Sequence, residues 1–249
     1  MAKVEMRIEG AVRRVLLNRP DKRNALDSEM LELLEAAFKE PPGREERAAV
    51  IRAAGPVFCA GLDLRQRSEM GASPIERMLH AVETYPLPVV AVVQGDAIAG
   101  GNELALHCDL VIASKAARFG MSLAQIGLVP SWFLAKKLLE VAGPVTTRKI
   151  LFLGDPLPAQ RLYELGVIAE VVAPDDLETA AASALDRLVA NAPLSLKAMK
   201  ALLLREMKFR DAIAHEDIDR VLAEVRQSAD AREGMAARLE KRAPRFEGR

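Results

Sequence analysis

Two short loops rich in small residues hold most of the chemistry this sequence can do. Phe58-Cys59-Ala60-Gly61-Leu62-Asp63 and Gly95-Asp96-Ala97-Ile98-Ala99-Gly100-Gly101-Asn102-Glu103 each follow an apolar, strand-like run, and the second opens a helical stretch. Glycine at a strand-to-helix turn lets a ligand approach the backbone, and the first N–H groups of the helix, lacking intrahelical acceptors, point at it. The helix dipole favours negative charge in the same place. A carbonyl oxygen that becomes an enolate oxyanion gains most from two such donors fixed in advance. Spacing alone is matched equally well by two ordinary tight turns packing helix on sheet. Glu103 is the acid of the second loop, and it reads either as a proton carrier or as a charge that complements the helix N-terminus.

Other chemistries fit less well. Gly95 and Gly100 have the separation of a phosphate-cradling loop, but Gly101-Asn102 stand where Lys-Ser or Lys-Thr is required, and the G-x-G-x-x-G pattern of dinucleotide binding is absent. Gly120-Met121-Ser122-Leu123-Ala124 approaches a nucleophile elbow and lacks its final glycine. Cys59 and Cys108 are the only cysteines, each in an apolar stretch, which argues against a disulfide framework, a cysteine metal site or, with no histidine close to Cys59, a thiol nucleophile. With 35 basic and 35 acidic residues the chain lacks the positive excess of a nucleic-acid binder or a polybasic membrane anchor. Met1 to Arg7 has no apolar signal region and no run reaches membrane-spanning length, so a reducing, cytoplasmic setting is expected.

The elements that must position these loops are legible from periodicity. Val4, Met6 and Ile8 alternate, Gly10 turns, and 12–17 forms the return strand. Asp27 caps a helix with Met30, Leu34, Ala37 and Phe38 on one face, and Pro41-Pro42-Gly43 ends it. The runs 48–53 and 89–93 read as buried strands, and Ile75, Met78, Leu79 and Val82 as a helical stripe between them. A helix over 102–108, a strand over 110–113 and a last strand over 167–172 complete the pattern; from Trp132 onward the chain is otherwise helical. Asn191-Ala192-Pro193 marks a hinge, giving a core over 1–190 and a helical region over 191–249.

Four stretches resemble the crotonase (enoyl-CoA hydratase/isomerase) superfamily: Leu17-Asn18-Arg19-Pro20-Asp21-Lys22-Arg23-Asn24-Ala25-Leu26, the segment from Gly55 to Leu64, Gly95 to Asp109, and Phe119-Gly120 through Val129-Pro130. The resemblance implies an α/β fold, a spiral of β-β-α units with a C-terminal helical region that serves trimerisation or as a lid. It implies homotrimers or homohexamers, an acyl-CoA thioester substrate, and no cofactor or metal beyond the coenzyme A of that substrate. It places the oxyanion donors at the backbone N–H of Ala60 and Gly100, proton transfer at Glu103, and substrate contacts at Ala60, Gly61, Leu62, Asp63, Gly100, Leu123, Ser131 and Trp132.

One departure matters for the reaction. Family hydratases pair Glu103's counterpart with a second carboxylate four residues after the phenylalanine of the third motif, and here that position is Leu123. Some family isomerases instead carry an aspartate after the motif's proline, where this chain has Ser131. The leading expectation is an enoyl-CoA hydratase or isomerase; an acyl-CoA decarboxylase or hydrolase on the same oxyanion hole, and a non-catalytic acyl-CoA binder, are the alternatives. His80, His107 and His215 read as packing residues, with His107 one helical turn from Glu103; Trp132 and Phe133 read equally as pocket lining or core anchors.

Overall fold

The computed structural model describes residues 2–65, 74–210 and 212–249. β1 (Val4–Glu9) and β2 (Val12–Leu17) pair antiparallel about Gly10, as the alternation predicts. Asp27 caps α1 (Ser28–Lys39) by accepting from the Met30 N–H at 3.0 Å, and the helix buries Met30, Leu31, Leu34, Ala37 and Phe38. There follow β3 (Ala48–Ala53), α2 (Pro74–Thr84), β4 (Val89–Val93), β5 (Ala97–Ile98), α3 (Gly100–Leu106), β6 (Leu110–Ser114) and β7 (Arg118–Gly120). After these come α4 (Trp132–Arg148), β8 (Leu157–Pro158), α5 (Ala159–Glu164), β9 (Glu170–Val172), α6 (Leu177–Ala190), α7 (Pro193–Glu206), α8 (Glu216–Gln227) and α9 (Ala229–Glu240).

The large sheet runs β1-β2-β3-β4-β6-β9, parallel from β2 onward, and a small sheet runs β5-β7-β8. A bridge from Cys59 to Ala97 continues the small sheet toward β3. Each pass of the chain therefore gives one strand to the large sheet and one short rung to the small one: β3 then Cys59, β4 then β5, β6 then β7. This is the expected spiral. Ala49, Ile51, Val89, Ala91, Val93, Val111 and Ala113 face the core under α1, α2 and α3, while Val50, Val90, Val92 and Ile112 face α6 through Leu177, Ala181 and Leu185. Parallel strands covered on both faces have no polar side, so these segments are apolar throughout.

Two boundaries differ from the periodicity. The helix expected over 102–108 starts at Gly100, because Ala99 takes a positive φ of 49° and turns the chain early. The strand expected over 167–172 begins only at Glu170, because the Val167 N–H donates to the Leu162 carbonyl (2.9 Å) in closing the end of α5. The rungs β5, β7 and β8 are two or three residues long, too short to leave a period.

The fold also buries charge. Arg13 on β2 is fully buried; it donates to both Glu46 carboxylate oxygens (2.9 and 3.1 Å) and to the Glu40 carbonyl at the end of α1 (2.9 Å), and Tyr85 donates to Glu46 at 3.2 Å. Burial raises the Arg13 environment's demand for a partner, and Glu46 answers it. Arg13→Met, which strands the Glu46 charge, is expected to cost about 3–5 kcal/mol in urea unfolding, and Arg13→Met/Glu46→Leu less than that single change. A double variant as unstable as the single one would contradict the pairing. Lys200 of α7, likewise buried, donates to the Leu87 carbonyl (3.1 Å) and Asp109 (2.6 Å), clipping that helix to the strand side of the core.

Candidate active site

The N-terminal motif is a scaffold for the first loop. Asn24, buried and at φ 52°, donates to the Ala54 and Val57 carbonyls (both 2.8 Å) and accepts from the Arg19 N–H (2.8 Å). Arg19 reaches the Asp63 carboxylate at 2.9 Å, so Asp63 braces the loop. The Arg23 carbonyl accepts the Ala60 N–H at 3.0 Å.

That last bond corrects one expectation. The Ala60 amide is already engaged and is not free to hold a substrate oxygen. Its neighbour but one is placed differently. Leu26 and Leu62 form a parallel bridge in which Leu26 N–H donates to the Gly61 carbonyl (2.8 Å) and Asp63 N–H to the Leu26 carbonyl (2.9 Å). Successive amides of an extended chain point to opposite sides, so the Leu62 N–H points away from this bridge. Among the described residues it has no acceptor.

The second loop supplies its counterpart. Ala99, strained at φ 49° and ψ −115°, is pinned by its N–H to the Gly120 carbonyl (2.7 Å), and α3 begins at once. The first α-helical bond is Glu103 N–H to the Ala99 carbonyl (3.0 Å), which leaves the Gly100 amide without an intrahelical acceptor. The loops touch: a Cβ on Gly61 would stand 3.2 Å from the Gly100 nitrogen, and one on Gly100 would stand 3.4 Å from the Leu62 nitrogen. Gly61, itself at φ 93°, and Gly100 thus allow two free amides to share one small space.

Glu103 lies in the first turn of α3, completely buried, and neither carboxyl oxygen has a hydrogen-bond partner among the described residues. Burial pushes its pKa up to about 8, against a smaller opposing pull from Lys137. At neutral pH it is mostly a neutral acid, able to give a proton and to take one back. Gly61, Leu62 and Gly100 come together where the two loops touch, and Glu103 follows three residues after Gly100 in the same helix.

The remaining predicted residues sort differently. Leu123 is half-buried and packs on the apolar core, so no carboxylate faces the site from that position. Ser131 is the N-cap of α4 and accepts from the Leu134 N–H at 3.4 Å. Trp132 stacks on His215 at 4.5 Å, joining the starts of α4 and α8. Cys59 is buried and its thiol is pushed up to about 12, which makes it inert packing. Sequence reasoning placed His107 one helical turn from Glu103 but passed over the stack of Phe133 on His107 and the Lys137–Glu83 ion pair between α4 and α2. Only the i,i+4 spacing of Glu103 and His107 was visible; nothing local ties Glu83 to Lys137. Among the described residues no group of His, Cys, Asp or Glu has the makings of a metal site.

Comparisons with known proteins identify the class to which a spiral of this kind belongs. The pattern describing the enoyl-CoA hydratase/isomerase family matches residues 7–249. The chain is 33% identical to the mitochondrial enoyl-CoA hydratase domain-containing protein 2 of Mus musculus over 94% of this chain and 84% of that one. It superposes on an enoyl-CoA hydratase/isomerase from Pseudoalteromonas atlantica T6c with a TM-score of 0.87 and 31% identity, covering 98% of this chain and 100% of that one. A methylmalonyl-CoA decarboxylase complexed with 2S-carboxypropyl-CoA gives a TM-score of 0.92 at 25% identity, covering 99% and 98% of the two chains. The chain belongs to the enoyl-CoA hydratase/isomerase family of the crotonase superfamily, and it is an acyl-CoA enzyme of that family.

Proposed function

We propose that the protein binds an acyl-CoA thioester with its carbonyl oxygen on the Leu62 and Gly100 amides and moves a proton along the acyl chain with Glu103. The observation that supports this reading is a buried, unpartnered carboxyl in the first turn of the helix whose opening residue, Gly100, carries one of two neighbouring free amides. Two donors fixed in advance stabilise the enolate oxygen, and the carboxyl that removes one proton can return it at a different carbon. One acid-base group is enough for such a shift of a double bond. Addition of water asks for a second group to orient the water, and Leu123 offers none. Coenzyme A enters as part of the substrate, with no further cofactor or metal.

Decarboxylation is the second reading, favoured by the same apolar Leu123. Loss of CO₂ generates the enolate without a base, and protonated Glu103 then supplies the α-proton. Leu194, Met199, Leu202, Leu203, Phe209 and Val221 leave an apolar face exposed on and around α7 and α8. Further copies of the chain, three or six in all, would cover it, and sedimentation reads the number. Among the described residues no helix is long and apolar enough to cross a membrane.

The deciding experiment is mass spectrometry of 2-enoyl-, 3-enoyl- and malonyl-type CoA esters incubated in deuterated water. Deuterium uptake with interconversion of the enoyl isomers is the expected result. Addition of water would make the enzyme a hydratase, and CO₂ release a decarboxylase. Esters that bind and raise the melting temperature but return unchanged and unlabelled would sink the catalytic reading.

A further inference from the structure

Helices α2, α3 and α4 bring to one place a set of side chains that the proposed reaction leaves unexplained. His107, one turn after Glu103 on α3, is buried, and its Nδ1 lies 2.8 Å from the Glu103 main-chain carbonyl oxygen. A carbonyl oxygen can only accept, so Nδ1 carries the ring hydrogen and Nε2 does not. Nε2 is buried with no partner among the described residues. Burial holds the ring's pKa down to about 4, so the ring is neutral near pH 7.

The ring is held on its face and from beyond. It stacks on Phe133 at 5.2 Å and 21°, and Phe133 meets His80 edge-on at 6.5 Å. One turn further along α4, Lys137 pairs with Glu83 of α2 and with Glu140 at 3.3 Å. Among the described residues, the charged and titratable groups acting on Glu103 and His107 are His80 and Glu83 from α2 and Lys137 from α4, with Glu140 and Lys136 paired beside Lys137. His107 Nδ1 also stands 3.7 Å from the nearer Glu103 carboxyl oxygen. That is too long for a hydrogen bond, yet the two groups lie side by side.

We propose that His107 is a positioning residue for Glu103, its Nδ1–H turning from the main-chain carbonyl to the carboxylate whenever Glu103 has given up its proton. The inference rests on the reading of Glu103 as the proton carrier. Neither Glu103 carboxyl oxygen has a hydrogen-bond partner among the described residues, so a carboxylate formed there lacks a donor, and the neutral imidazole supplies one without adding a charge. The stack on Phe133 and the contact to the Glu103 main-chain carbonyl keep Nδ1, rather than Nε2, on the Glu103 side of the ring, so that a small turn in the ring plane is all the switch needs.

The test compares His107→Asn, whose amide N–H sits near the position of Nδ1, with His107→Gln, whose amide reaches toward Nε2, and with His107→Phe, which keeps the stack and loses both nitrogens. Glu103 is titrated without substrate by infrared difference spectra taken against Glu103→Gln. Gln and Phe are expected to raise its midpoint by about one pH unit, as loss of a donor to the charged form does, while Asn stays near wild type. A proton shift needs the carboxylate to start, so the rise of kcat with pH should move upward with that midpoint, KM changing little. Midpoints unchanged in all three variants, or shifted equally in all three, overturn the proposal. A Gln and Phe shift in a protein that turns over no thioester leaves the proposal standing and removes only the catalytic reading.

Discussion

Glu103→Gln is expected to lower kcat by about 10²–10⁴, the usual contribution of a positioned acid or base, with acyl-CoA affinity nearly unchanged. Gln has the same shape but exchanges no proton, whereas on the proposed reading the carbonyl oxygen rests on backbone amides that the change does not touch. Steady-state kinetics and a thermal shift with a non-reacting CoA ester read the two effects separately; preserved turnover would remove Glu103 from the mechanism. The same variant is expected to be more stable than wild type at alkaline pH. Glu103 has a pKa of about 8 in the folded protein against 4.5 unfolded, because burial disfavours the carboxylate. An acid raised in this way opposes folding above its folded value, where a charge must be buried, and the penalty fades as pH falls, vanishing below the unfolded value. Gln, neutral at every pH, escapes it. The gain over wild type should therefore grow between pH 4.5 and 8 and level off at a few kcal/mol, on the order expected for a shift of this size. Calorimetry at both ends of that window measures it. A difference that does not change with pH would mean that Glu103 is charged throughout.

Gly101→Ala is expected to lose both stability and activity, although helix propensity alone points the other way. In the first turn of α3 alanine would be favoured by about 1 kcal/mol. A Cβ there, however, would stand 2.2 Å from the Cys59 carbonyl oxygen and 2.7 Å from the Cys59 Cβ. These are fixed parts of the first loop, tied to the second through the Cys59–Ala97 bridge, so they can yield only if the two loops part. Overpacking of this kind costs about 1–3 kcal/mol, more than the propensity gain at its upper end. Parting the loops also separates the Leu62 and Gly100 amides, and a misplacement of about 1 Å can cost about 10²-fold in rate. The melting temperature and kcat should fall together. A variant that melts higher with unchanged kcat would show that the loops do not meet at Gly101.

Both predictions concern residues whose types were visible in the sequence and whose surroundings were not. The strands 48–53 and 89–93, the stripe of α2 and the Asp27 cap were legible because periodicity and capping are local: they depend on residues within a turn or a strand of one another. The two glycine-bearing loops were legible for the same reason, and their likeness to known enzymes gave the family and the fold. Three things required the tertiary structure. The start of α3 at Gly100 depends on Ala99 being held at a positive φ by Gly120, a residue on β7. The burial that raises Glu103, and the set of His107, Phe133, Lys137 and Glu83 around it, arise where three helices meet. The choice of amide in the first loop is the sharpest case. Neighbouring N–H groups of an extended segment point in alternate directions, and which of them remains free depends on what pairs with the segment from outside. Here Arg23 takes the amide of Ala60, and the bridge to Leu26 turns that of Leu62 toward the site. No property of Ala60 or Leu62 themselves carries that information, because it belongs to the long-range pairing of the chain.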